Sequence, residues 1–249
     1  MVTPRPEISI IIPYFNGQRF IGPALQSIHR EGLPNLEVIL VDDASTDRGI
    51  PDVSGNSCCI LKKNRNGGPA SAQNAGIRVA KGKYITFLDQ DDVLVQGSIR
   101  ARWNWLTTHA EDRVVSGSMA EVIDESGEII GAYADILHPR YRAPGTYITR
   151  QFIDSGLICP PTSSLFMYRR DLLEQVGDFD ESYKTCHDAD YLFRVLEVEK
   201  IRFLDVPILH HRLHSNNLSV KREGNQNIYS KHHLGEIFLI STQYGLPFF

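Results

Sequence analysis

Cysteine is scarce in this 249-residue chain: Cys58 and Cys59 are adjacent, while Cys159 and Cys186 stand alone. That spacing builds neither a disulfide framework nor a C-x-x-C metal or redox site, so a reducing cytoplasm is the expected setting. No segment approaches the roughly 18 consecutive apolar residues of a membrane-spanning helix. The opening Met1-Val2-Thr3-Pro4-Arg5-Pro6-Glu7 leads into a strand without the apolar stretch of a signal peptide. The expectation is a soluble cytoplasmic chain, held at most at the inner face of a membrane. Positive charge is also in short supply. Lys and Arg total 26 against 30 for Asp and Glu, and the net charge of -4 argues against nucleic acid as the partner. Internal repeats, low-complexity stretches and a convincing interdomain linker are all missing.

What is present reads as one α/β domain, since the length and the 42% hydrophobic content suit a packed core. Ile8 to Ile12 and Glu37 to Val41 are continuous apolar runs, the pattern of parallel strands buried on both faces. Between them Phe20, Ile21, Ala24, Leu25 and Ile28 recur at helical spacing. Cys59 to Leu61 is a short strand, and Gly67 to Ala80 a small-residue helix able to pack close to a sheet. From residue 114 the pattern changes to an antiparallel element around a turn at Asp124 to Gly127. Residues 131–160 read as a long loop with a short helix near Arg150 to Asp154. Ser163 to Met167 is a strand, Arg170 to Val176 and Asp188 to Val198 are helices, and Arg202 to Phe203 a strand. A His-rich loop begins at His210, and Asn225 to Thr242 closes the chain as an amphipathic helix.

The strand Tyr84 to Leu88 ends in Asp89-Gln90-Asp91-Asp92, three carboxylates within four residues. Such a cluster repels itself unless a cation neutralises it, and hard divalent cations prefer oxygen ligands completed by water and phosphate. A solvated acidic turn or a helix cap is the alternative. The polar loops at Tyr14 to Gly17, Asp42 to Asp47 and Asp89 to Asp92 all follow strands, so they converge on the carboxyl edge where open sheets bind ligands.

Ser9-Ile10-Ile11-Ile12-Pro13-Tyr14-Phe15-Asn16, Val41-Asp42-Asp43-Ala44-Ser45-Thr46-Asp47, Asn66-Gly67-Gly68-Pro69-Ala70 with Asn74, and Asp89-Gln90-Asp91-Asp92 resemble the successive motifs of family 2 glycosyltransferases, in order and in spacing. The resemblance implies a GT-A fold, a nucleotide-sugar donor, a divalent metal (Mn²⁺ or Mg²⁺) and inversion at the anomeric carbon. The fold expected is thus a central, mostly parallel twisted sheet flanked by helices with a small antiparallel element. On that resemblance Pro13, Tyr14 and Asn16 wall the base and ribose, and Asn66 and Asn74 line or support the pocket. Asp43 accepts the imide N–H of a uracil, which a lysine or an apolar residue cannot do; capping with Ser45 and Thr46 is its structural alternative. Asp91 holds the metal, Asp89 faces the ribose or a metal-bound water, Gln90 belongs to the same donor-binding segment, and Asp92 supports them. The Gly-Gly turn brings backbone close to the nucleotide but lacks P-loop spacing.

The resemblance continues more weakly over residues 160–219. An inverting displacement needs a base for the acceptor hydroxyl, and Asp188 falls on the family's base position, with a helix N-cap as its alternative. His187 stands where glutamate is frequent, which alters the local charge. Asp190 and Arg194, four apart, suit a helix-face ion pair. His210-His211-Arg212-Leu213-His214 invites a zinc reading, but no further soft ligand completes it. The resemblance instead puts Arg212 on the diphosphate and His214 in the metal shell, leaving His210 and His211 as surface histidines. Pro160 to Ser164 is expected to form an acceptor wall, and Trp103 and Trp105 to belong to the core.

The chain therefore divides into a nucleotide-sugar-binding half (1–110), an acceptor-binding and catalytic half (111–220) and a C-terminal helix and tail (221–249). The expected partners are a nucleotide-sugar donor and a glycan or lipid-linked sugar acceptor, as in cell-surface polysaccharide synthesis. Phe238 to Ile240 and Leu246 to Phe249 offer a peripheral membrane contact or a homodimer interface, although packing onto the domain is the simpler use. A sugar-nucleotide pyrophosphorylase would need a Gly-rich loop after the first strand, where Pro13-Tyr14-Phe15-Asn16 stands. A catalytically inactive nucleotide-sugar-binding protein is the remaining alternative.

Overall fold

Side chains too apolar to face water set the centre of the structure. Strand β1 (Ile8–Tyr14) is buried along its length, with only Pro13 half-buried, and it pairs in parallel with β2 (Leu36–Asp42) on one side and β4 (Tyr84–Phe87) on the other. Strand β3 (Cys58–Lys62) extends the parallel set beyond β2. The computed structural model describes residues 5–47, 58–132, 147–149, 162–218, 220–223, 226–229 and 231–244.

The crossovers are helices whose apolar stripes cover the sheet. Helix α1 (Ile21–Arg30) buries Ile21, Ala24, Leu25 and Ile28 and carries His29 and Arg30 in its last turn, where cations suit the helix dipole. Helix α2 (Pro69–Val79) starts with proline at its first turn, where no N–H is required. It lies so close to β1 and β2 that a Cβ at Gly76 would strike Ile11 and Val41, the tight packing its small residues lead one to expect.

Beyond β4 the sheet becomes mixed, in the order β3-β2-β1-β4-β9-β6-β10-β5. Strand β9 (Phe166–Arg169) runs antiparallel to both β4 and β6 (Val114–Ile123), and β6 runs parallel to β10 (Ile201–Arg212). Short strands β5 (Val93–Leu94), β7 (Ile129–Ala132) and β8 (Tyr147–Ile148) pair antiparallel with β10, β6 and β10 respectively. Helices α3 (Ser98–Thr108), α4 (Arg170–Val176) and α5 (His187–Val198) complete the layers, and α6 (Lys231–Tyr244) lies against α5. This is a single α/β domain with the GT-A architecture, as expected. Trp103 and Trp105 pack, half-buried, against the core.

Three boundaries differ from the sequence reading. The histidine run is not a loop: β10 continues to Arg212 because long β6 supplies partners as far as His211↔Val122 and Arg212↔Ile123. The proposed helix from Asn225 begins at Lys231 instead, because β11 (Val220–Glu223) and β12 (Gln226–Tyr229) form a hairpin. The intervening Gly224-Asn225 is a hairpin signal that the helical reading passed over. Ser163–Leu165 is one turn of 3-10 helix, capped by the Thr162 hydroxyl accepting from Ser164 N–H, and the strand starts only at Phe166. The expected helix near Arg150 to Asp154, most of the 131–160 loop, Pro160, Pro161 and the Leu246 to Phe249 tail lie outside the described residues.

Candidate active site

Strand order places a natural crevice between β1 and β4, where the chain's crossovers diverge and ligands of open sheets bind. Gln90 spans it: its Oε1 accepts from Phe15 N–H at 2.9 Å and its Nε2 donates to Phe15 C=O at 3.2 Å. Asn16, in the left-handed region at φ 50°, accepts from the backbone N–H groups of Thr46 and Asp47 at 2.8 and 3.1 Å. The loops after β1, β2 and β4 are thus tied into one rim.

Several residues expected to meet the donor are already engaged by the protein. Tyr14 is not a wall of the base: its ring is buried and its hydroxyl donates to Asp47 at 2.9 Å. Phe15, next to it, is the exposed aromatic on this rim, 42% accessible. Pro13 is half-buried and Asn66 exposed. Asn74 is buried and clamps Phe179, accepting from its N–H at 2.8 Å and donating to its C=O at 3.0 Å. It holds the turn before α5, so any support it lends the pocket is through Phe179. Asp43, 2% exposed, accepts from Gly67 N–H, from Gly68 N–H at 2.8 Å and from Lys63 Nζ. Gly67 N–H is shared between the two oxygens at 3.1 and 3.0 Å, so the roughly four lone-pair sites of the carboxylate are all engaged.

The acidic strand end has three different carboxylates. Asp92 is fully buried, accepting from Arg212 N–H at 2.9 Å and pairing with His211. His211 is no surface histidine: against the lowering effect of burial, Asp92 pushes it up to about 9. His210 pairs with Glu121 at 2.9 Å. Burial, then the charges of Asp92 and Asp91, push Asp89 up to about 7, opposed by a 2.8 Å hydrogen bond from the Thr162 hydroxyl. Ser164 Oγ accepts from Asp89 N–H at 3.1 Å. Thr162 and Ser164 are therefore buried braces of Asp89, and Ser163, buried beside them, accepts from Gln73 Nε2 at 2.9 Å.

Asp91 meets His214 Nε2 at 2.8 Å and Asn217 Nδ2 at 3.4 Å. One carboxylate and one imidazole are about a third of an octahedral cation's donor set. Among the described residues no three His, Cys, Asp or Glu side chains form a ready cage, so the remaining ligands would be water or phosphate oxygens, as Mg²⁺ and Mn²⁺ accept. Asn216 N–H donates to His214 Nδ1 at 3.1 Å, which fixes the proton on Nε2 facing Asp91. Asp91 fits a cation as it stands; His214 fits once that proton is displaced. Phe20 stacks on His214 with ring centroids 4.5 Å apart, a support between residues far apart in the chain and without a local signal. Arg212 is buried, with Nε donating to Asp91 C=O at 2.8 Å and Nη1 to Asp124 C=O at 2.7 Å. It braces the acidic loop through these two carbonyls; the diphosphate contact expected of it is a further use of the same guanidinium.

Asp188 opens α5 on the other side, half-buried, with Oδ1 accepting from Ala189 N–H at 2.8 Å. Burial first, and the Asp89 charge second, push it up to about 8. His187 adds no charge beside it, because burial lowers it to about 4. Asp190 pairs with Arg194 at 3.0 Å, the structural pair expected.

The model of the family described as glycosyl transferase family 2 matches residues 9–177 of the chain. The chain belongs to glycosyl transferase family 2. An uncharacterized glycosyltransferase of Rickettsia prowazekii is 32% identical over 218 residues, covering 84% of this chain and 65% of that protein. The uncharacterized glycosyltransferase EpsJ of Bacillus subtilis is 28% identical, covering 86% and 63%. The chain thus spans just under two-thirds of the length of these relatives. Among solved structures, S. aureus TarS 1-349 in complex with UDP-GlcNAc superposes with a TM-score of 0.71 at 21% identity, covering 95% of this chain and 66% of that one. The same protein in complex with UDP gives 0.67 at 22% identity over 84% and 61%. These likenesses carry the fold. Asp188 and His214 lie beyond the family-matched segment, so their roles rest on the site itself.

Proposed function

We propose that this glycosyltransferase moves a sugar, with inversion, from a uridine or thymidine diphosphate donor to a hydroxyl of a glycan or lipid-linked acceptor. The observation that carries this reading is electrostatic: Asp188, across the crevice, is held up to about 8 by burial and by the charge of Asp89. A carboxyl kept near neutrality in a partly dry site is suited to take the acceptor's proton as displacement begins. The TarS complexes with UDP and UDP-GlcNAc support a nucleotide-sugar donor for this fold. Asp43 suits a base imide N–H taken in place of the shared Gly67 N–H.

Asp91 and His214 are the residues that would hold a divalent cation, which when bound would neutralise the diphosphate and the charge gathering on the leaving nucleotide. Arg212 and Asn217 keep the Asp91 backbone and side chain in place. Thr162 and Ser164 orient Asp89. Turnover of a panel of nucleotide sugars with and without Mn²⁺ tests the reading. The expected result is nucleoside diphosphate release from a UDP- or dTDP-sugar that EDTA abolishes; turnover unaffected by EDTA would remove the metal from the proposal. Donor binding without turnover by any acceptor would favour the inactive binding protein.

A further inference from the structure

Glu236 of α6 is a buried carboxylate with no part in the donor site, and it lies 48 residues beyond Asp188. Its Oε1 accepts from Lys184 N–H at 2.6 Å, and its Oε2 accepts from Thr185 N–H at 2.8 Å, the Thr185 hydroxyl at 2.8 Å and Cys186 N–H at 2.9 Å. The backbone of residues 184–186 is thus wrapped around one carboxylate immediately before α5 begins at His187. Three successive N–H groups turned towards one anion form a concave nest, and the positive end of the helix dipole lies beside it.

Residue Cys186, at the N-cap position, makes no side-chain cap of its own. The cap is supplied from a distant helix. Charge-assisted hydrogen bonds of this kind are about twice as strong as neutral ones. Burial alone would raise Glu236, yet its backbone and hydroxyl donors hold it below its usual value, so it remains a full anion. Asn74 pins the other end of the same connection through Phe179. The approach to α5 is therefore fixed at two points, one from α2 and one from α6.

We propose that Glu236 is a positioning residue for the catalytic base: by capping residues 184–186 it sets where the first turn of α5 presents Asp188 to the acceptor hydroxyl. This rests on the reading of Asp188 as base. A carboxylate two residues past the cap moves with the first turn, and displacement of about 1 Å costs on the order of 10²-fold in rate.

The test uses the full chain, with turnover of whichever UDP-sugar it consumes fastest and amide hydrogen exchange read without substrate. In Glu236→Gln, the amides of 184–190 are expected to exchange at least tenfold faster. The kcat should fall 10- to 100-fold with donor KM and UDP affinity within twofold of wild type, because the nucleotide side is untouched. Glu236→Asp should recover part of the loss. Tyr244→Phe removes a different α6 bond, to Asp190 at 2.8 Å, and should keep kcat. Unchanged exchange at 184–190, or unchanged kcat in Glu236→Gln while Asp188→Asn is inactive, overturns the proposal alone. Equal loss in Tyr244→Phe overturns it in favour of general helix docking. Full activity in Asp188→Asn removes the base assignment and the positioning role with it.

Discussion

Asp43 and Asp188 are both aspartates at the carboxyl edge of the same sheet, and the protein treats them oppositely. Asp43 is surrounded by Gly67 N–H, Gly68 N–H and the Lys63 ammonium. Asp188 has only the backbone N–H groups of Ala189 and of itself, against burial and the repulsion of Asp89. The first has donors on both of its oxygens, set there by the turn before α2 and by Lys63. The second carries a charge that its surroundings resist, which is the condition for taking up a proton. Position in the sequence does not distinguish them; the donors around each carboxylate do.

Removing the second carboxylate should have the largest effect. Asp188→Asn is expected to lower kcat by about 10³-fold, within the range for a positioned general base, with UDP affinity measured by calorimetry unchanged. The same change should stabilise the fold. A carboxyl whose folded pKa of about 8 exceeds its ordinary value of 3.8 binds its proton more tightly when folded, so native stability falls as pH rises between those values. The thermal advantage of Asp188→Asn over wild type should therefore grow from about pH 4 to pH 8 and level off above. Wild-type kcat/KM should climb with pH through the coupled titration of Asp188 and Asp89, near 7 to 8; a flat profile over that range would contradict the assignment.

Asp43→Ala tests the other member. It strands a half-buried ammonium and the Gly67 and Gly68 amides, so unfolding in urea should show a loss of about 3 kcal/mol, as when one partner of a buried ion pair is removed. Asp43→Asn keeps one acceptor oxygen and should lose about half as much. The smallest expected effect is at Thr162→Val, which removes the hydroxyl that opposes protonation of Asp89. About 1 kcal/mol of stability should go with that hydrogen bond, and the acid limb of the pH profile should move to higher pH.

The parallel half of the fold was legible because its strands are short apolar runs that end in polar loops, a pattern local in sequence. The convergence of Asp43, Asp89 and Asp91 on one edge followed from that alone. The uses of Tyr14, Asn16 and Asn74 did not, because their partners Asp47, Thr46 and Phe179 lie 33, 30 and 105 residues away. A polar side chain near a ligand edge reads the same whether it meets a nucleotide or another loop. The surroundings of Arg212 and His211 were hidden for a related reason: charged residues break a strand pattern, and only β6 and Asp92 explain why they are drawn inward. Glu236 had no local sign at all.

Gln90 sets the gauge of the crevice. Backbone pairing between β1 and β4 ends at Ile11↔Phe87, with one more bond from Leu88 N–H to Ile11 C=O at 3.0 Å. Past that point the strands part, and the primary amide of Gln90 acts as an extra rung made of side chain. Asparagine is one methylene shorter, and glutamate has no N–H to give to Phe15. The separation of the two loops is therefore cut to the length of one glutamine, and they travel as a single lip.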